Sequence, residues 1–145
     1  MTGEAAPVLV WFRRDLRLGD HLALAAAVAT GRPVVPVFVH DETVAALGAA
    51  AKWRLGEGLG VFAAALAARG SRLVLRRGAA REVLARLAAE TGAAAVHWQR
   101  VHDPAGLSRD TAVAAALKAR GVAAESFPGA VLFEPSTVAT AAGTP

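Results

Sequence analysis

The sequence predicts an α/β fold: a doubly wound parallel sheet of about five strands in the order 3-2-1-4-5, with helices on both faces. Three observations lead there. Short runs rich in valine and leucine alternate about five times with longer, alanine-rich stretches of helical character, which is how strands buried on both faces by crossover helices read. The 145 residues, 54% of them hydrophobic, suit one domain with a substantial core. Crossovers between parallel strands are right-handed, and in a regular series of strand and helix units that chirality yields the doubly wound order.

Residues 8–13 (VLVWFR) form the first strand. A loop follows, then a helix that begins near Asp20, a good N-cap, and ends at Gly31. The second strand, 33–39 (PVVPVFV), contains Pro36, which has no N–H for a ladder and so marks a bulge or an edge-facing position. A polar loop over 40–49 precedes a helix reaching Arg69. Gly56, Gly58 and Gly60 weaken that helix by roughly 1 kcal/mol each relative to alanine, so it needs tertiary support. The remaining elements are a strand at 72–76, a helix at 80–91, a strand at 94–99, a helix at 105–120 and a short strand at 123–127. Beyond them, glycine, proline and threonine mark irregular chain.

Composition removes several classes of function. With no cysteine, disulfide scaffolds, thiolate nucleophiles and cysteine-ligated metals are out. The formal charge of +4 comes from sixteen bases, nearly all arginine, scattered against twelve acids without a dense block, a mild bias that permits a polyanionic partner. The start MTGEAAPVLV is no signal peptide, and no charge-free apolar run is long enough to span a bilayer. A cytoplasmic protein without membrane contact is expected.

In doubly wound sheets ligands sit beyond the carboxyl ends of the strands where the order reverses. Here that crevice lies between the first and fourth strands, and the loops to watch are 12–20, 38–43 and 99–103. The richest of them is WFRRDLRLGDH, residues 11–21, in which Arg13, Arg14, Asp15 and Arg17 follow directly on a buried strand. Charge there is paired or exposed. One reading is an ion-pair network of Asp15 with Arg14, Arg17 and Arg13 that braces the loop, with Asp20 capping the helix. The other is an anion or chromophore site built by Arg13 and Arg14, since guanidinium forks suit planar and carboxylate partners. The two are compatible. GEGLG at 56–60 lacks both the spacing and the post-strand position of a nucleotide loop, and neither a P-loop nor a G-x-S-x-G elbow occurs. His40 with Asp41, and His102 with Asp103, lie on loops at one edge of the sheet, but one histidine and one carboxylate per loop is too few donors, and no metal is expected. His97 is expected as a satisfied core or interface histidine, and Trp53 and Trp98 are expected in the core.

WFRRDLRLGDH resembles the opening signature of the DNA photolyase/cryptochrome family, an aromatic followed by R-x-D-L-R and an aspartate before Asn or His; Arg13, Asp15, Leu16, Arg17, Asp20 and His21 match it. The resemblance continues through KWRLGEGLGVFAAALAARGSRLVLRRG, through VHWQRVHDPAGLSRD with its Arg109 and Asp110 pair, and into SFPGAVLFEPSTV. It covers nearly the whole chain, in order.

That resemblance implies the N-terminal, Rossmann-like light-harvesting domain of a deoxyribodipyrimidine photolyase, which repairs pyrimidine dimers in DNA with light. Such domains often hold an antenna pigment of folate, deazaflavin or flavin type. Phe12, Arg13, Phe38, His40, Asp41, Lys52, Gln99, Arg100, His102 and Asp103 would line its crevice, while Arg14, Asp15, Arg17 and Asp20 serve as ion pairs and cap. Gly56, Gly58, Gly60, Val101 and Leu107 stand where relatives carry other residues, some of them pigment ligands, so the pigment's type does not follow. Catalytic FAD belongs to a helical domain outside this chain, which alone would not be catalytic; that domain, and DNA through it, are the implied partners. The expected layout is a flexible arm at 1–7, the α/β domain at 8–128 and the start of an interdomain linker at 129–145. Two other readings are a cryptochrome-type photoreceptor or interaction domain and a stand-alone nucleotide-binding protein of the same fold.

Overall fold

The computed structural model describes residues 5–139. Five strands, β1 (Val8–Phe12), β2 (Val34–His40), β3 (Val74–Arg77), β4 (Ala95–Gln99) and β5 (Ala123–Phe127), form one sheet in the order β3-β2-β1-β4-β5. Every neighbouring pair is parallel. This is the expected class and order. The helices are α1 (Leu22–Ala29), α2 (Glu42–Ala45), α3 (Ala49–Ala67), α4 (Ala80–Thr91) and α5 (Pro104–Lys118). The arm at 1–7 and the linker at 129–145 lie partly outside the described residues; what is described after β5 is irregular apart from one 3-10 turn, Pro135–Thr137.

β1 is the axis of the fold, with all five residues buried. Its side chains alternate between two cores, as a strand's must. Leu9 and Trp11 join Val37, Val39, Leu84, Val96, Val113 and Leu117 beneath α4 and α5, while Val8, Val10 and Phe12 join Ala23, Ala27, Phe62 and Leu66 beneath α1 and α3. Each fully buried large side chain contributes about 1.5–3 kcal/mol. Pro36 is buried in β2 with no bulge, and the ladder to β3 begins one residue later, at Val37, so β2 is locally an edge at the proline.

Three sequence expectations give way. Asp20 does not cap α1. It sits at φ 51°, a left-handed conformation, and the cap is His21, whose Nδ1 accepts the Leu24 N–H at 3.1 Å. Once the ring nitrogen serves, the aspartate is displaced one residue out, where Arg17 clamps its carbonyl with two N–H groups at 3.0 and 2.8 Å. The loop expected over 40–49 contains α2, because Asp41 accepts the N–H groups of Thr43 and Val44 and starts a helical turn. Trp53 is 67% exposed instead of core. It stands in the first half of α3, which runs unbroken through its three glycines yet buries only Phe62 and Leu66, both near its end.

Candidate functional site

The carboxyl ends of β1, β2 and β4 place Arg13, Asp41 and Gln99 at one edge of the sheet. Arg13 is buried, and its guanidinium donates to Asp110 at 2.5 Å and to the carbonyl of Gln99. Arg109 also reaches Asp110, at 3.4 Å, and donates to Asp41 Oδ2 and Thr43 Oγ1, both at 3.0 Å. Arg13, Asp110, Arg109 and Asp41 therefore form, in that order, an alternating chain of balanced charge. Both guanidinium groups lie over the ring of Trp11, 4.4 and 5.0 Å from its centroid, where the ring's negative face favours them. Burial draws Arg13 below its ordinary value while the hydrogen bond and charge of Asp110 oppose that shift. An arginine stays charged regardless, so both guanidinium groups remain cationic.

A second network fills the first loop. Asp15 accepts from the Arg13 N–H at 2.8 Å, from His21 Nε2 at 2.7 Å and from Gln99 Nε2 at 3.2 Å, and Gln99 Oε1 accepts the Leu22 N–H at 3.0 Å. Because His21 Nδ1 is taken as an acceptor by the helix cap, its proton is on Nε2, facing Asp15. Burial pushes the Asp15 carboxyl up, but the bonds from His21 and the Arg13 N–H overrule it and hold it below the usual range. The brace is thus Asp15 with His21 and Gln99, in place of the expected Asp15 with arginine side chains. Arg14 pairs instead with Asp103 at 2.8 Å, at the exposed rim. Asp103 caps α5 through the Gly106 N–H at 2.8 Å, the first cause of its lowered carboxyl, with Arg14 adding to it.

Two crevices flank this charged centre. Between β1 and β2 is a cavity of about 170 Å³ lined by Arg13, Arg14, Phe38, Val39, Asp41, Thr43, Val44, Leu47, Leu55, Asp103 and Arg109. Between β1 and β4, at the expected switch point, a shallower hollow of about 140 Å³ is walled by Arg13, Asp15, Gln99 and Arg100 and by Gly129 and Ala130 of the chain after β5. That segment is docked: Arg100 donates its N–H to the Phe127 carbonyl at 2.8 Å and approaches Glu134 at 3.3 Å. A Cβ on Gly129 would stand 2.5 Å from the Arg100 carbonyl oxygen, so only glycine fits there.

Of the sequence-selected residues, Arg13, Phe38, Asp41 and Asp103 line the larger cavity, and Gln99 and Arg100 the smaller. Phe12 turns to the opposite core, against His21 and Phe62; His40, Lys52 and His102 line neither. Sequence reasoning gave no site role to Thr43, Val44, Leu47, Leu55, Arg109 or Asp110. One signal was available: Gly106, Asp110, Val113 and Leu117 repeat at helical spacing and are all buried, and a carboxylate on an apolar stripe demands a cationic partner. Among the described residues no helix is long and apolar enough to cross a membrane.

Comparison with known proteins adds independent findings. The DNA photolyase family model matches residues 8–145. A deoxyribodipyrimidine photo-lyase from Agrobacterium fabrum is 44% identical over 145 residues, covering 100% of this chain and 30% of that protein. The crystal structure of a bacterial class III photolyase from Agrobacterium tumefaciens superposes with a TM-score of 0.92 at 43% identity, over 100% of this chain and 30% of the other. An archaeal photolyase from Sulfolobus tokodaii, solved with two FAD molecules and described as implying a novel light-harvesting cofactor, matches at 25% identity with a TM-score of 0.83, over 92% of this chain and 32% of that one. The chain spans about 30% of the length of these relatives.

Proposed function

The chain belongs to the DNA photolyase family, and on that footing we propose that it is the light-harvesting domain of a deoxyribodipyrimidine photolyase, with the cavity between β1 and β2 as its pigment site. The observation that carries this reading is the cavity itself, a part-apolar space at the carboxyl edge of a doubly wound sheet, where such folds take ligands. Its chemistry suits a flat conjugated ring. Phe38, Val39, Val44, Leu47 and Leu55 supply apolar wall, Thr43 and Arg109 supply polar groups, and the arginines are each already matched by a carboxylate. A wall of balanced charge holds an uncharged ring better than an anionic tail, which fits at the exposed rim by Arg14. Folate, deazaflavin and flavin all present such a ring, and a pigment held here would supply light absorption and excitation transfer to the FAD of the parent protein.

The residues of this chain would position the ring and exclude water, and they carry out no bond chemistry. Repair, FAD and the lesion pocket then belong to a helical domain of the parent, in keeping with relatives more than three times as long, and the protein would be cytoplasmic. The layout 8–128 for the α/β domain with an interdomain linker from 129 is part of the same reading. Titration of the purified chain with a flavin, a deazaflavin and a folate, followed by absorbance and fluorescence, tests it. Saturable binding of one, weakened about tenfold or more by Val44→Trp, is expected. No saturable binding of any removes the pigment role, and thermal stabilisation by ATP alone would assign a nucleotide site instead.

A further inference from the structure

The surplus of positive charge is not spread evenly along the chain. Residues 69–90 hold six arginines and two glutamates, whereas the rest of the sequence has ten bases and ten acids. The whole formal charge of +4 therefore belongs to that segment. The fold turns it into one margin of the molecule, made of the end of α3, the edge strand β3 and α4 behind it.

On this margin Arg72, Arg76, Arg77, Arg81 and Arg86 are all exposed. The two acids engage only Arg76, Arg81 and Arg86, at 3.8–3.9 Å, which leaves Arg72 and Arg77 without an acidic partner among the described residues. Leu75, 58% exposed, is the one large apolar side chain exposed between 69 and 90. A docking site for a folded protein has an apolar centre; this surface has guanidinium groups around a single leucine. Arginines on an edge strand also prevent pairing with another sheet, but that function needs charge on β3 alone, and here the surplus extends to Arg69 and Arg72 ahead of the strand, while the two arginines of α4 are balanced by its two glutamates.

We propose that the margin formed by β3 and the chain leading into it from Arg69 is a contact surface for the phosphate backbone of a nucleic acid, separate from the pigment cavity. Guanidinium forks match phosphate oxygens, and contacts of this kind are independent of sequence and lost with salt. Binding of the chain to a fluorescent undamaged DNA duplex, measured by anisotropy across a salt series, tests the idea. The R72Q/R76Q/R77Q variant should bind more weakly, with a salt slope shallower by roughly 2–3. R32Q/R54Q/K118Q, which removes the same charge elsewhere, should keep the slope, and R72K/R76K/R77K should keep it too, which separates charge from misfolding. Equal loss in both glutamine variants would reduce the effect to net charge and overturn the proposal. So would displacement of the duplex by polyglutamate as readily as by unlabelled DNA, which would indicate an acidic protein.

Discussion

Arg13 stands between two crevices at the same edge of the sheet, and they differ in what fills them. Toward β4, Asp15, His21 and Gln99 bond across the gap, and Gly129 and Ala130 lie against it. Toward β2, Arg109 and Asp41 satisfy one another on the wall and leave an apolar space among Phe38, Val44, Leu47 and Leu55. The strand order places the reversal of the sheet on the β4 side, yet the larger cavity is on the β2 side. A reversal of strand order opens room; polar groups that can bond across it close it again.

The largest test of this contrast removes the charge shared by both sides. Asp110→Ala leaves the Arg13 guanidinium buried without its carboxylate, and thermal or urea denaturation should show a loss of about 3–5 kcal/mol. Asp15→Ala acts on the closed side alone. It strips the acceptor from His21, Gln99 and the Arg13 N–H, and should cost about 2–3 kcal/mol while leaving pigment titration intact. Gly129→Ala drives a methyl group into the Arg100 carbonyl; an expected loss of about 1–3 kcal/mol should come with faster proteolysis after β5, and unchanged proteolysis would mean that the segment does not close the crevice.

Acid should test the closed side next. The Asp15 carboxyl is held below its unfolded value, so its contribution is fully present above about pH 3.9 and is lost as pH falls through the lower, folded value. Asp15→Asn should flatten that acid limb of the stability curve. Smallest of all is Trp53→Ser. Exposed on the unpacked half of α3, it should change stability by no more than about 0.5 kcal/mol; a larger loss would mean that this surface is covered.

Much of the fold was legible in the residues. The bounds of α4 and β5 agree with the structure to the residue, because their apolar positions and flanking glycines leave little choice. Trp53 misled because an indole in a helix is core only if another element covers that face. Asp20 misled because aspartate caps well in isolation, and nothing local reveals that the His21 ring would take the Leu24 N–H first. The site was half legible. Strand ends pointed to Arg13, Phe38, Asp41 and Asp103, but Arg109 lies more than sixty residues from the Asp41 it bonds.

By itself, then, the sequence determined the class of fold, the order of strands and the family, since alternation of apolar runs and the spacing of WFRRDLRLGDH are local properties that each segment carries alone. The tertiary structure decided which crevice is open and which arginine meets which carboxylate. Those depend on pairs distant in the chain, and a buried charge is indifferent to sequence distance: it takes whichever opposite charge the packing brings within about 3 Å.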